Sequence, residues 1–459
     1  MDDQVSLNYQ QYMADSPPPD FPPICNWAPD NAPPEVAAFF ARPAFDPKAE
    51  QIAREALADI RARGDAAVLD CIRKFENQTL TVEHLRVSRD EINAARDQVD
   101  SDFIAACRES HGRIMQFARA GLKKDWTIAT PKGGLVGEQF TPLERVGVYI
   151  PGGAAPLVST ALMTITLAKA AGVPEIAACS PAAADGTFNP YLLYAMEVAG
   201  ATEIYRVGGI QAIGAMAYGT QTIRKVLKIA GPGGPFVTAA KRLVYGEVAL
   251  DLVAGPSEIA VLADDSAKPD QVAADLLSQA EHGTGSEKIL LVTTDARLAV
   301  AVRMELFRQM ATLSRRDAIQ TVIREGALIV VVNHLDHGME LCNRFAPEHL
   351  EIIVREPRNW LKKVRNAGAV FVGAWTPECA GDFVAGPSHV LPTGGTAAMF
   401  SGLTADDFRK RTSIISFTRA DLRDTLDTIE AFGRVEGLDA HARSARIRFT
   451  KDAVQRPNL

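Results

Sequence analysis

The chain has few cysteines, no long apolar run and no basic block. Its 459 residues include only six cysteines: Cys25, Cys71, Cys107, Cys179, Cys342 and Cys379. They are scattered, with no CxxC or other paired spacing. That excludes a disulfide framework or a zinc knuckle and reads as the reduced thiols of a cytoplasmic protein. No apolar run reaches the ~18 residues of a membrane span. The nearest, APLVSTALMTITLAKAAG, carries Ser, Thr and Lys and suits a buried soluble helix. The net charge is −7 and no Lys/Arg-rich block occurs, which argues against a nucleic-acid binder. The acidic, proline-rich start, MDDQVSLNYQQYMADSPPPDFPP, has neither a basic n-region nor an apolar h-region, so it does not read as a signal peptide. Two readings stay open for this segment, wrapping a partner surface and disorder. No GxGxxG is present, so the usual dinucleotide fingerprint is missing.

What is present is an α/β texture. From Asp46 to about Trp126 the apolar residues recur at helical spacing, with Ser88 as a cap and Gly64 as a stop. From Arg145 the runs RVGVYI, EIAACS, EIYRVGG and VLKIAGPGG alternate with helices beginning near Ser159, Asn189 and Gln211. A second series, EIAVLAD, KILLVTT, ALIVVVN, LEIIVRE and GAVFVGAW, follows from Glu258. Strands alternating with helices imply parallel sheets, and continuous apolar strands imply cover on both faces. The segment from about Leu403 reads as helical and charged. It is too small to hold a core alone and is expected to pack on the rest of the chain or on another subunit.

Four motifs could carry chemistry. Glycines gather at strand ends, in PGGAAP (151–156), VGGIQA (207–212), AGPGGP (230–235) and AGPSE (254–258). Each alone is a tight turn or part of a cofactor cleft at the carboxyl edge of a parallel sheet. In LLSQAEHGTG, Gln279 and His282 share one side of a helix end that Gly283 would cap. A metal-ligand pair and a dipole-stabilising histidine are both open readings. CAGDFVAGPSHVLPTGG places Asp382 and His389 in a Gly/Pro-rich loop, and RVEGLDAHARS places Glu436 and His441 on a charged tail; solvated loop and helix faces are the alternatives. Finally FAPEHLE sets an acid, Glu348, beside a base, His349, between a helix end and a strand start.

Taken in order, the stretches GVYIPGGAAPLVSTALM, RVGGIQAIGAMAYGT, AGPSE, DLLSQAEHG, FAPEHLE, GPSHVLPTGG, SGLTADDFRKRTS and EGLDAHARS resemble the histidinol dehydrogenase family, from about Phe45 to Phe449. The resemblance implies a zinc- and NAD-dependent, four-electron alcohol dehydrogenase of histidine biosynthesis that oxidises L-histidinol to L-histidine through L-histidinal. It implies one Zn2+ per subunit held by Gln279, His282, Asp382 and His441, and proton transfers by Glu348 and His349. Ser257, His389 and Glu436, with His349 and the four metal ligands, would contact substrate. Tyr149, Gln211 and Gly234 would contact NAD. It also implies a homodimer whose C-terminal segment completes the partner's site, with no nucleic acid or membrane involved. Two departures stand out: the Pro-rich start is long, and Gly234 stands where the family commonly has Asn. A related enzyme of the same scaffold, oxidising another small alcohol such as a sulfopropanediol, is the main alternative, and a binding protein that has lost catalysis is the other.

The expected fold is thus α/β, with two tandem incomplete Rossmann-like parallel-sheet domains, a helical N-terminal region and a small helical C-terminal tail domain. The expected divisions are a 1–44 extension, a first α/β domain from 45–148 and 256–402, an NAD-contacting domain at 149–255 and a C-terminal domain at 403–459.

Overall fold

The computed structural model describes residues 22–41, 46–152, 156–252, 255–282 and 285–450. Most of the Pro-rich start, the middle of PGGAAP, the first residue of AGPSE and the expected Gly283 cap lie outside the described residues. The chain divides into two compact units, Met1–Gly121 with Leu143–Phe408, and Leu122–Pro142 with Arg409–Leu459.

The strands, in chain order, are β1 (Ile24–Trp27), β2 (Trp126–Ala129), β3 (Leu135–Pro142), β4 (Arg145–Tyr149), β5 (Glu175–Ser180), β6 (Glu203–Arg206), β7 (Lys228–Ala230), β8 (Ala249–Leu250), β9 (Glu258–Ala263), β10 (Lys288–Thr293), β11 (Ala327–Val332), β12 (His349–Ile353), β13 (Ala369–Val372) and β14 (Arg409–Ser416). The first unit holds two parallel sheets, a six-stranded one in the order β1-β11-β10-β9-β12-β13 and a five-stranded one in the order β6-β5-β4-β7-β8. The α/β reading and both strand series are therefore as expected.

The six-stranded sheet is buried on both faces because its strands alternate. Ile259, Val261, Ile289, Leu291 and Ile329 meet helices Pro269–Ala280, Ala296–Met310 and Arg316–Gly326. The intervening Ala260, Leu262, Leu290, Val292, Leu350 and Ile352 meet helix Leu335–Phe345 on the other side. The segment taken as an extension enters this sheet. β1 pairs with β11, Ile24 opposite Ile329, and Phe39 stacks on Phe345 at 5.3 Å. Proline density hid a four-residue edge strand, a place where a strand tolerates proline nearby.

The division at 148/149 also differs from expectation. Strand β4 lies at the centre of the five-stranded sheet. Helices Pro47–Arg63 and Asp65–Cys71 supply Leu57, Ile60 and Val68 to that sheet's core, with Ile213, Met216 and Val244. Residues 47–71 and β4 thus pack with the sheet that follows them in sequence.

The second unit corrects the helical reading of the C-terminal segment. β14 pairs antiparallel with β3, from Arg409 opposite Pro142 to Ser416 opposite Leu135, and β2 completes a three-stranded sheet. RKRTSIIS carries charges that look helical, yet Thr, Ser and two Ile favour an extended chain. Its partner lies far earlier in the sequence, so no local signal announced the pairing. Helices Leu426–Glu436 and Asp439–Arg446 follow. Residues 403–408 belong instead to the first unit, where Phe408 is fully buried. Among the described residues no helix is long and apolar enough to cross a membrane, and all six cysteines are unpaired.

Candidate active site

FAPEHLE is a helix-to-strand turn. Helix Leu335–Phe345 closes on Ala346, which takes φ 49° and donates its N–H to the Cys342 carbonyl at 2.9 Å. A non-glycine residue there carries strain, the kind held at functional turns. Three residues later β12 begins with His349, in register with Ile259 of β9 and Ala369 of β13. Neither member of the pair is a solvated loop residue. Glu348 is 5% exposed and His349 3%.

The amide at the start of β9 explains how the carboxylate is held. Glu258 N–H donates to Glu348 Oε2 at 3.0 Å. His349 Nδ1 lies 3.1 Å from the Glu258 carbonyl oxygen. A carbonyl only accepts, so Nδ1 carries the proton and Nε2 presents its lone pair. Burial lowers the His349 pKa below 6.5, keeping the ring neutral. Burial, followed by the negative charges of Asp382, Glu258 and Glu378, raises the Glu348 carboxyl well above its usual range.

The alternation of β12 puts more acid on the same face. Leu350 and Ile352 enter the apolar core, while His349 and Glu351 point to the side of helix Pro269–Ala280. Glu351 Oε1 accepts from the Glu378 N–H at 2.7 Å and its carboxyl is raised by burial and by Asp275. Burial also lifts Asp275, to about 6. Glu378 receives Ser278 Oγ at 3.0 Å through one oxygen, and its other oxygen lies 3.7 Å from His349 Nε2 with no hydrogen-bond partner. Glu378 and Asp382 are four apart on helix Glu378–Phe383. Burial, with the Glu378 charge, pushes Asp382 up to about 8. Ligand atoms of His349, Glu378 and Asp382 all lie within 4.8 Å of one another.

His389 joins this group, with Nδ1 3.7 Å from Asp382 Oδ1 and Nε2 3.3 Å from Thr160 Oγ1. Burial, then the neighbouring His349 and His282, lowers its pKa to about 4. Gln279 is 0% exposed, and its Oε1 has no hydrogen-bond partner. His282 Nδ1 sits 3.1 Å from Gln279 Nε2, in the turn after the helix. Ser257 is half-buried and immediately precedes Glu258.

These residues fit a divalent metal. An amide oxygen buried without a partner needs a cation or a donor. Carboxylates packed so closely cannot all ionise without positive charge among them. The same cluster shows what the sequence reading missed. Glu378, Glu351 and Asp275 looked like ordinary charges. The available signals were the four-residue spacing from Glu378 to Asp382 and a Glu at a core position of β12.

The expected cofactor residues gather elsewhere, at the carboxyl edge of the five-stranded sheet. Tyr149 ends β4, and its hydroxyl accepts from the Gly209 N–H at 3.2 Å. Gln211 is buried in the first turn of helix Gly209–Tyr218. Gly234 is the N-cap of helix Pro235–Val244, and a side chain added there would meet open space. AGPSE, the fourth glycine turn, leads from β8 of this sheet to β9 of the other. Glu436 and His441 belong to the second unit, where both are exposed.

A protein-family model described as histidinol dehydrogenase matches residues 41–449. The chain belongs to the histidinol dehydrogenase family. It is 44% identical to the histidinol dehydrogenase of Heliobacterium mobile over 397 residues, covering 86% of this chain and 93% of that one. It is 46% identical to that of Moorella thermoacetica over 395 residues, again 86% and 93%. A crystal structure of histidinol dehydrogenase from Elizabethkingia anophelis superposes with a TM-score of 0.88 at 36% identity, covering 94% of this chain and 98% of that one. As a family member the chain is an oxidoreductase.

Proposed function

We propose that the chain oxidises L-histidinol to L-histidine through L-histidinal, with NAD and zinc, as the last step of histidine biosynthesis in the cytoplasm. The observation that carries this reading is the neutral His349. Its Nδ1 is fixed on a carbonyl, its Nε2 is free, and a buried carboxylate of raised pKa stands beside it. Gln279, His282 and Asp382 would hold the zinc, joined by His441 from a second copy of the chain. When bound, zinc supplies a template that fixes nitrogen groups of the substrate. NAD, when bound along Tyr149, Gln211 and Gly234, supplies the hydride acceptor.

The residues then divide the proton work. His349 Nε2 takes the hydroxyl proton as hydride leaves the carbinol carbon, and the aldehyde results. Glu348 takes a proton from the water that adds to the aldehyde, a task its raised pKa suits. His349, having passed its first proton to solvent, takes another as the second hydride leaves, and the carboxylic acid results. Ser257, His389 and Glu436 would orient the substrate. Closely spaced acid and imidazole are what two oxidations with a hydration between them require.

A homodimer is part of this reading. The second unit exposes Ile415, Phe417, Phe432 and Leu438, and Val435 is 81% exposed. Apolar residues clustered in one small unit support a partner surface, and a second copy would bring Glu436 and His441 with it.

The test is NADH formation by purified, zinc-loaded protein given L-histidinol. Two NADH per histidine are expected, lost with a chelator and regained with zinc. Turnover of another small alcohol, with none of histidinol, would move the chain to the alternative substrate.

A further inference from the structure

The start of helix Gly209–Tyr218 resembles a phosphate cradle, with glycines at the N-cap and first position of a ten-residue helix at the carboxyl edge of a parallel sheet. Its anion position is already filled. Glu76 Oε1 accepts the Gly208 N–H at 3.2 Å and also the Gln211 Nε2 group. The next amide, Gly209 N–H, donates to the Tyr149 hydroxyl. The glycines make this approach possible. A side chain on Gly208 would press on Pro181 and on Glu76 Oε1, and one on Gly209, at φ 53°, would meet Gln211 Oε1 at 3.1 Å.

Two oxygens at this turn are buried with no hydrogen-bond partner, Glu76 Oε2 and Gln211 Oε1. Gln211 as a whole is 1% exposed. Both atoms are acceptors when Glu76 is ionised, so the missing partner must bring donors. A phosphate brings none and would be repelled by the carboxylate. A pair of sugar hydroxyls brings two. Among the described hydrogen bonds, the partners of Glu76 are Gly208 and Gln211, and neither belongs to the His349 cluster. The nicotinamide must reach substrate beside His349, at the start of β12 in the other sheet, which leaves the remote ribose for this turn at the carboxyl edge of the five-stranded sheet.

Resting on the NAD reading above, we propose that Glu76, with Gln211, binds the adenosine ribose hydroxyls of NAD at this helix start, and that its carboxylate excludes a cofactor phosphorylated on that ribose.

The experiment is calorimetric binding of NAD and NADP to the full-length wild type and to the Glu76→Gln and Glu76→Asp variants, with the melting temperature of each free protein recorded. Wild type should bind NAD well ahead of NADP. Glu76→Gln should weaken NAD by about tenfold, the scale of a lost charged hydrogen bond, and narrow the NAD/NADP ratio by a similar factor. Glu76→Asp should stay within about threefold of wild type for NAD. A Glu76→Gln variant with wild-type NAD affinity, or with an unchanged ratio, overturns the assignment and leaves the NAD reading standing. A wild type that binds no NAD removes the reading itself, and the assignment with it. Should Glu76→Gln fail to fold, 2′-deoxy-NAD on the wild type decides the matter: about tenfold weaker binding than NAD supports the assignment, and equal binding overturns it.

Discussion

The two sheets of the first unit present their candidate site residues at opposite edges. In the five-stranded sheet, Tyr149 and the glycine turns follow β4, β6 and β7, at the carboxyl ends of the strands. That is where open α/β sheets usually bind ligands. In the six-stranded sheet, Glu258 and His349 are the first residues of β9 and β12, and Glu348 directly precedes His349. This site opens at the amino ends. The materials differ too. The carboxyl edge offers glycine backbone, uncharged Tyr and Gln, the Glu76 carboxylate, and an Asp251 carboxylate already paired with Lys241 and the Gly231 N–H. The amino edge gathers Glu348, Glu378, Asp382, His349 and His389, all titratable. The N–H groups at strand starts account for part of the difference, since the Glu258 N–H holds the Glu348 carboxylate. An edge of backbone donors can carry buried acid, and buried acid is what proton transfer and metal binding need.

The largest effect should come from removing the base at the amino edge. His349→Asn should lower kcat by on the order of 10³-fold. Zinc content, measured on the purified variant, should stay near wild type. The 4.8 Å grouping of His349 with Glu378 and Asp382 makes that second measurement decisive. If zinc is lost with the imidazole, His349 is a ligand and the division between metal-holding and proton-moving residues fails.

His441→Asn tests whether the amino-edge site is complete within one first unit. If it is not, the variant should hold less zinc, with a several-fold rise in the metal concentration needed for half-maximal activity, in the range seen when one ligand is weakened. Unchanged metal content would remove His441 from the ligand set and leave Gln279, His282 and Asp382 to the first unit's own carboxylates.

How legible these sites were in the sequence follows from the same contrast. The carboxyl-edge glycine turns were readable because apolar β-runs ending in glycine are a local pattern. The Glu348–His349 turn was readable as a helix end meeting a strand start, which is how it folds. Glu351, Glu378 and Asp275 were not, because a carboxylate in a helix or strand reads as surface until the fold buries it. Glu76 escaped for the same reason, since its partners Gly208 and Gln211 lie more than a hundred residues on. β14 was misread because its pairing with β3 is equally remote. Periodicity reports local burial, and these features depend on contacts between distant segments.

The second unit gives a smaller, pH-dependent test. Its Asp421 carboxylate receives Thr130 Oγ1 at 2.7 Å, the Lys132 and Gly134 N–H groups at 3.0 Å, and both the N–H and hydroxyl of Thr418. These bonds hold its pKa far below the ordinary 3.8 against the opposing pull of desolvation. The ionised form is thus favoured by folding, and the stabilisation is whole above the ordinary value and fades as pH falls beneath it. Asp421→Asn should lower Tm at neutral pH by roughly 3–6 °C, and the gap to wild type should close in acid. A gap that is constant across pH would mean that shape, not charge, ties the β2–β3 turn to the C-terminal helices.

The smallest effect belongs at the carboxyl edge, at Gly234, where the family resemblance implies Asn. The position is the N-cap of a ten-residue helix, its φ of −67° suits any residue, and an added side chain meets open space. Gly234→Asn should therefore fold as wild type, with Tm raised by about a degree at most because Asn caps only slightly better than glycine. If the carboxyl edge binds NAD, the restored amide should tighten NAD by about threefold, one modest hydrogen bond, with kcat unchanged. The split between binding and turnover is the informative part. A change in kcat would show that this edge reaches the hydride, and the separation of the two edges by task would no longer hold. An unchanged affinity would mean that the cofactor is held without a side chain at 234, by backbone and the Tyr149, Gln211 and Glu76 groups, and that glycine here costs the enzyme nothing.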